Sequence, residues 1–228
     1  MNIIKTEQLK KTYSDNGVPV EALRGMNLEI GKGEFTVIAG PSGSGKTTLL
    51  NLIGALDHPS GGKVFIEGVD IGKLNRNQLG DLRLNKIGFV FQAYNLIPVL
   101  SALENVEFTM MLMGVGEKER RERSLEIMAD LGIGDLAYKR PNEMSGGQQQ
   151  RLAVARAIVT RPALVLADEP TANLDSHTGA ELLKLMEDLN REKNITFVFS
   201  SHDQQVMDHA KRLLILKDGL IVEDRPRS

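Results

Sequence analysis

The chain has 228 residues, 41% hydrophobic and 25% charged, with a formal net charge of -2 and no cysteine. This balance is ordinary for a globular domain and argues against a general nucleic-acid binder, although a local basic patch is compatible with it. The lack of cysteine excludes disulfides, thiol catalysis and Cys-ligated zinc. The opening Met1-Asn2-Ile3-Ile4-Lys5-Thr6-Glu7 has no apolar core of signal-peptide length. No apolar run approaches the ~20 residues of a membrane-spanning helix. The chain is therefore expected to be cytoplasmic and not to cross a membrane itself.

Residues 1–35 read as a β-rich opening. Ile3-Ile4-Lys5-Thr6-Glu7 is a candidate strand, Tyr13 stands before a polar turn at Ser14-Asp15-Asn16-Gly17, and residues 22–30 alternate imperfectly as a second strand. Phe35-Thr36-Val37-Ile38-Ala39 is a buried strand, and Thr48-Leu49-Leu50-Asn51-Leu52-Ile53 opens a helix. After the turn Pro59-Ser60-Gly61-Gly62 come two more strands, Lys63-Val64-Phe65-Ile66-Glu67 and, within 85–92, Ile87-Gly88-Phe89-Val90-Phe91 ending at Gln92. The character then changes. Residues 103–113 and 117–131 carry apolar side chains at helical spacing, and the mixed-sign run 117–123 fits a solvated helix face. Residues 93–157, approximately, are expected to be a helical insertion. Ala163-Leu164-Val165-Leu166-Ala167 is apolar on both faces, as a central parallel strand must be. Residues 176–192 read as an amphipathic helix. Ile195-Thr196-Phe197-Val198-Phe199 is a strand leading to Ser200-Ser201-His202-Asp203, and Asp218-Gly219 joins a final hairpin.

Gly40-Pro41-Ser42-Gly43-Ser44-Gly45-Lys46-Thr47 fits G-x-x-x-x-G-K-[ST] at every fixed position, between the strand and helix that the motif requires. Its glycines let successive N–H groups converge on an anion, and the following helix start is electropositive. Lys46 would supply charge to β- and γ-phosphates, and the Thr47 hydroxyl would ligate Mg²⁺. Asp168-Glu169 follows an apolar strand directly, at the sheet edge where ligands gather in open α/β folds. Asp168 would hold Mg²⁺, through water, and Glu169 would polarise an attacking water. His202 also ends a buried strand, within reach of a γ-phosphate. Gln92 ends a strand at the seam with the helical stretch; by position it is equally an ordinary polar loop residue or a contact to Mg²⁺ and water. Tyr13 alone is a core or surface tyrosine as readily as an adenine-stacking ring. Ser145-Gly146-Gly147-Gln148 opens a helix with a good N-cap and an uncovered N-terminus, which is either a second anion site or a plain helix start.

In their order along essentially the whole chain, the loop 40–47, the Gln92 loop, Ser145-Gly146-Gly147-Gln148, Asp168-Glu169, Asn173-Leu174-Asp175 and His202 resemble the nucleotide-binding subunit of ABC transporters. The resemblance implies an α/β fold over residues 1–228: a RecA-like P-loop NTPase core with a mostly parallel sheet, an N-terminal antiparallel β region and an inserted helical subdomain. It implies ATP and Mg²⁺ as ligands. Tyr13 matches the adenine-stacking aromatic. Residues Gly40, Pro41, Ser42, Gly43, Ser44, Gly45, Lys46, Thr47 and Thr48 match the phosphate loop. Ser145, Gly146, Gly147 and Gln148 match the signature, and Asp175 the loop coupling two sites. Glu169, His202 and Gln92 match the catalytic set, and Thr47, Gln92 and Asp168 the metal set. Met144 departs from the usual leucine before the signature serine, a conservative apolar exchange. Gly54-Ala55-Leu56-Asp57, residues 91–98 and Ala102-Leu103-Glu104-Asn105-Val106 look like the branch of lipoprotein-release, macrolide-export, antimicrobial-peptide-export and cell-division ATPases.

In that family the signature of one subunit completes the ATP site of another. A homodimer in the ATP-bound state is therefore implied, with integral membrane permease subunits as partners and a peripheral position on the inner face of the cell membrane. No nucleic acid is expected as a partner. A soluble relative acting on nucleic acid or ribosomes would carry two such domains or a long coiled coil, and neither is in this sequence. A non-transporting regulator of a membrane complex would share the same ATPase, and a P-loop GTPase or small-molecule kinase would lack the signature.

Overall fold

A strand that is apolar on both faces must be covered from both sides, and this requirement sets the layers. The computed structural model describes residues 2–15 and 18–226. In chain order the strands are β1 (Asn2–Asp15), β2 (Val18–Gly31), β3 (Phe35–Ala39), β4 (Gly61–Ile66), β5 (Val69–Asp70), β6 (Ile87–Val90), β7 (Leu164–Asp168), β8 (Thr196–Ser201), β9 (Arg212–Lys217) and β10 (Leu220–Pro226). The helices are α1 (Lys46–Ile53), α2 (Arg76–Lys86), α3 (Ala102–Leu112), α4 (Glu117–Asp130), α5 (Gly146–Ile158), α6 (Ser176–Lys193) and α7 (Gln204–Asp208).

Six strands form the central sheet in the order β10-β9-β3-β8-β7-β6, parallel from β9 to β6 with β10 antiparallel at the edge. A second sheet, β2-β1-β4-β5, is antiparallel throughout. The central strands feed two cores by simple alternation. Phe35, Val37, Val165, Ala167, Phe197 and Phe199 face one way, into a core shared with Leu103, Val106 and Met110 of α3, Met128 of α4, Leu152 of α5 and Leu182 of α6. Ile38, Leu164, Leu166, Val198 and Leu214 face the other, against α1 and the antiparallel sheet. The ring of Phe35 lies 4.6 Å from that of Phe199 between neighbouring strands.

The register decides what meets at the sheet's carboxyl edge. Ala39 pairs with Ser201 across β3 and β8, and Asp168 pairs with Ser200 across β7 and β8. The loop after β3, the acidic pair after β7 and the end of β8 are therefore level neighbours.

Some local expectations need correcting. The first strand runs far past Glu7, as β1 to Asp15, because β2 pairs along most of its length. Its continuation is interrupted by register shifts around Thr6, Leu9 and Lys10, and Gln8 has φ 48, so the alternation that marks a strand breaks mid-run. Ser14 and Asp15 belong to that strand rather than to a turn; Asn16 and Gly17 lie outside the described residues. Helix α2 has no counterpart in the sequence pattern, and Asn85 belongs to it rather than to the strand approach. Its apolar residues are only buried Leu79 and partly buried Leu82 and Leu84, so periodicity is weak; its signal is the Asn75/Gln78 capping box. Phe91 lies beyond the end of β6. Gly88 is needed where it stands, since a Cβ there would meet the Ala157 carbonyl oxygen at 2.3 Å. That close approach seats α5 on β6.

Candidate nucleotide-binding site

The loop of residues 40–47 turns on Gly43 and Gly45, at φ 77 and 104, and a side chain at Gly45 would also strike the Ala22 carbonyl at 2.6 Å. The following α1 starts at Lys46 with no side-chain cap on its first turn, whereas α2, α3, α5 and α6 are each capped by Asn75, Ser101, Ser145 and Asp175. The N–H groups of its first turn are therefore left as uncapped donors on the side of the loop. Lys46 is buried and its ammonium donates to the carbonyls of Gly40 (2.8 Å) and Pro41 (3.2 Å), folded across the loop it belongs to. The buried Ser44 hydroxyl has no protein partner. A concave loop with free donors, a lysine and an orphan hydroxyl is a phosphate cradle.

Across the sheet edge, the Thr47 hydroxyl lies 3.4 Å from Asp168 Oδ1, and the Ser200 hydroxyl donates to the same oxygen. A hydroxyl and a carboxylate oxygen side by side are hard donors of the kind Mg²⁺ takes together with phosphate and water. Among the described residues no cluster of three or more His, Cys, Asp or Glu side chains could hold a metal alone. These few donors therefore suit an ion that is brought in with a nucleotide, and they fit Mg²⁺.

Glu169 adopts φ 47, a left-handed conformation that costs a non-glycine residue energy and that turns its carboxylate away from the strand line. Its N–H donates to the Ser200 carbonyl at 3.0 Å, the Ser201 hydroxyl donates to Oε2 at 3.0 Å, and His202 Nδ1 lies 2.8 Å from Oε1. The last contact requires the proton on Nδ1, so the exposed edge of the ring presents Nε2. Gln150, fully buried on α5, donates to the Pro170 carbonyl at 2.7 Å, which ties that helix to the segment after Glu169.

Gln92 is exposed, and its carbonyl accepts from Asn173 Nδ2 at 2.8 Å. Beyond it Tyr94 and Asn95 are both left-handed (φ 59 and 50), and Arg156 of α5 donates to the carbonyls of Asn95 (2.5 Å) and Tyr94 (2.8 Å). Burial pushes the Arg156 pKa down from its usual value. Ser145 caps α5 by accepting from the Gln148 N–H at 3.3 Å, while Gln148 returns a bond to the Ser145 N–H at 2.9 Å. Gly146 sits by Tyr94 Oη and the Asn173 carbonyl, and Gly147 by Thr178. Asp175 caps α6 through the N–H groups of His177 and Thr178. Tyr13, 40% exposed, donates to Asp57 Oδ2 at 2.9 Å, beside Thr48.

The structure thus gathers Lys46, Thr47, Asp168, Glu169 and His202 at one edge, with the rest of the loop 40–47 and Thr48. Ser145 and Gln148 bond each other instead, Gly146 lies by Tyr94 and Asn173 and Gly147 by Thr178, and Asp175 bonds His177 and Thr178. Sequence reasoning gave no role to Ser200, Ser201, Gln150, Arg156 or Asp57. Ser200 and Ser201 close a run of β-forming residues on the strand next to β7, which is a usable signal; Gln150 and Arg156 look like any polar positions on an amphipathic helix.

A glycine-rich loop between strand and helix, facing an Asp-Glu pair on a parallel strand of the same sheet, defines a P-loop nucleoside triphosphatase. The sequence profile of the ABC transporter family matches residues 23–172. The chain is 43% identical to the lipoprotein-releasing system ATP-binding protein LolD of Anaeromyxobacter dehalogenans, covering 98% of this chain and 94% of that protein. It is 42% identical to the macrolide export ATP-binding/permease protein MacB of Syntrophobacter fumaroxidans, over 97% of this chain but 31% of that longer protein. A solved dimeric structure of the ATP-binding cassette MJ0796, in a post-hydrolysis state bound to ADP and Pi, superposes with a TM-score of 0.92 at 42% identity, covering 99% of each chain. The chain belongs to the ABC transporter family, as one of its ATP-binding, ATP-hydrolysing cassettes. Among the described residues no helix is long and apolar enough to cross a membrane.

Proposed function

We propose that this chain binds ATP with Mg²⁺ on the loop 40–47, closes on a second copy of itself, hydrolyses the nucleotide, and passes the resulting motion to a membrane permease. The observation that carries the reading is the level edge at which Lys46, Thr47, Asp168, Glu169 and His202 converge. Lys46 exchanges the Gly40 and Pro41 carbonyls for β- and γ-phosphate oxygens. Thr47 and Asp168 hold Mg²⁺, which when bound neutralises phosphate charge. Glu169, steadied by Ser201, accepts the proton of the attacking water. His202 can donate Nε2–H to the γ-phosphate while keeping its bond to Glu169 only as an imidazolium, so that contact carries positive charge where negative charge develops. Gln92 approaches from the loop fastened by Arg156 and Asn173.

Tyr13 and Val20 are cross-strand partners at exposed positions, which supports a stacking face for the base. Ser145, Gly146, Gly147 and Gln148 meet none of these groups within the chain. Their capped, outward helix start supports a role on the γ-phosphate held by a second copy, with Asp175 nearby at the α6 start. Two-fold symmetry then makes two equal sites. The homologous MJ0796 dimer supports this arrangement.

An apolar groove of about 700 Å³ lies between α2 and β6 on one side and α3 and α5 on the other, lined by Leu56, Leu84, Phe89, Phe91, Phe108 and Leu112. Asn95, beyond the Gln92 loop, and Arg156 form part of its wall. This supports docking of a permease segment that senses nucleotide state through Gln92. The chain would then sit on the inner face of the cell membrane. The relatives named for lipoprotein release and macrolide export favour export or release of cargo from the membrane. Glu169→Gln tests the cycle: it should bind ATP, elute as a dimer in ATP but not in ADP, and lose about 10²–10⁴ in turnover. Turnover near wild type would remove Glu169 from the role of base.

A further inference from the structure

The chemistry above uses Tyr13 only as a ring. The structure holds that ring in place with a carboxylate that no step of the cycle requires. Asp57 accepts from three donors: Lys11 Nζ at 2.7 Å and the His58 N–H at 2.7 Å on Oδ1, and the Tyr13 hydroxyl at 2.9 Å on Oδ2. It is fixed in turn where α1 ends, since the N–H groups of Leu56 and Asp57 both bond the Asn51 carbonyl, at 2.8 and 3.3 Å. Lys11 is nearly buried, bonds the His58 carbonyl at 2.8 Å, and places its ammonium 4.8 Å from the Tyr13 ring centroid. Cation–π attraction of this kind covers one face of the ring. The hydroxyl and one face of Tyr13 are therefore both committed, although the residue lies on an exposed stretch of the β1–β2 hairpin.

We propose that Asp57, together with Lys11, is a positioning residue for the nucleotide base: it clamps Tyr13 so that the uncovered ring face stands ready to stack on adenine. The inference rests on the reading of Tyr13 as the stacking surface. Its physical basis is pre-organisation. A tyrosine on a hairpin must be ordered before it can stack, and a ring already held loses less freedom when the base arrives. Asp57 itself bonds none of the phosphate-loop groups described above, so its removal should be felt at the base rather than at the phosphates.

The test measures the full-length chain's affinity for ATP and for inorganic tripolyphosphate, with KM and kcat alongside, in Asp57→Asn, Tyr13→Phe, the double variant and Tyr13→Ala. Asp57→Asn and Tyr13→Phe should each weaken ATP about three- to ten-fold, a part of the stacking contribution. Both should raise KM without lowering kcat, leave tripolyphosphate binding as it was, and show no further loss when combined. If Asp57→Asn leaves ATP affinity intact while Tyr13→Ala weakens it, the clamp is refuted and the stacking reading survives. If Tyr13→Ala has no effect, the stacking reading fails and takes the clamp with it. Equal weakening of ATP and tripolyphosphate in Asp57→Asn, or additive losses in the double variant, would also overturn the proposal.

Discussion

Two regions of this molecule, the carboxyl edge of the central sheet and the helical layer of α3, α4 and α5, handle polar groups in opposite ways. At the sheet edge the side chains turn toward each other: Thr47 and Ser200 meet on Asp168, while Ser201 and His202 meet on Glu169. In the helical layer the corresponding groups are occupied locally. Ser145 caps its own helix, Arg156 binds the backbone of the Gln92 loop, and the groove residues Phe108 and Leu112 line an open apolar face. The first region is a nearly complete half of a reaction site. On the reading proposed above, the second presents surfaces to other molecules. The difference suggests that the chemistry is inherited from the sheet register, whereas the helical layer decides what the chemistry is connected to.

Mixing two inactive variants breaks this comparison most sharply. Lys46→Met and Ser145→Arg should each lose ATPase activity almost completely. Equal mixtures should recover about a quarter of wild-type activity, because half of the dimers are mixed and one of their two sites is intact. No recovery in assembled mixed dimers would mean that the two half-sites do not come from different chains. Below that in size stands the groove. Leu112, 57% exposed, can take a charge without entering the core, and Leu112→Glu should cut co-purification with the cognate permease at least several-fold. Undiminished co-purification would move the docking surface elsewhere.

The smallest expected effect concerns acid. Lys32 and Lys86 hold the Glu67 carboxyl below its ordinary 4.5, and Arg212 holds Asp224 below 3.8. At Asp57, burial pushes upward but Lys11, the His58 N–H and Tyr13 outweigh it, and the net shift is down from 3.8. The folded values lie below the unfolded ones, so these groups contribute stability that is fully present above 3.8–4.5 and is lost as pH falls through the folded values. The urea midpoint should therefore lose their contribution only below about pH 4. In Asp57→Asn that acid limb should be shallower; an unchanged limb would mean that the clamp adds nothing to folding.

Much of the architecture is legible in the chain because central parallel strands are continuous apolar runs. Phe35-Thr36-Val37-Ile38-Ala39 and Ala163-Leu164-Val165-Leu166-Ala167 announce themselves. The final hairpin is equally plain, with Asp218 and Gly219 both at positive φ in its turn. Elements whose stability is not carried by an apolar stripe were harder. The polar helix α2 depends on its capping box and on Leu79, and the long β1 depends on pairing with β2 and β4 across register shifts. The motif residues were readable as types at fixed spacings. Their partners Gln150 and Arg156 were not, because each matters through what it touches rather than through its neighbours in sequence.

By itself the sequence determined the class of chemistry: a phosphate loop, an acidic pair and a signature, each a local pattern whose backbone geometry follows from a few glycines and caps. Tertiary structure decided which of these face one another. Strand order and register set Asp168 level with Ser200 and Ala39 level with Ser201, and sent the α5 start toward Tyr94, Asn173 and Thr178 instead of the loop 40–47. The physical reason is that hydrogen-bond pairing between strands far apart in the chain, and the burial of both sheet faces, are non-local; no stretch of residues contains them.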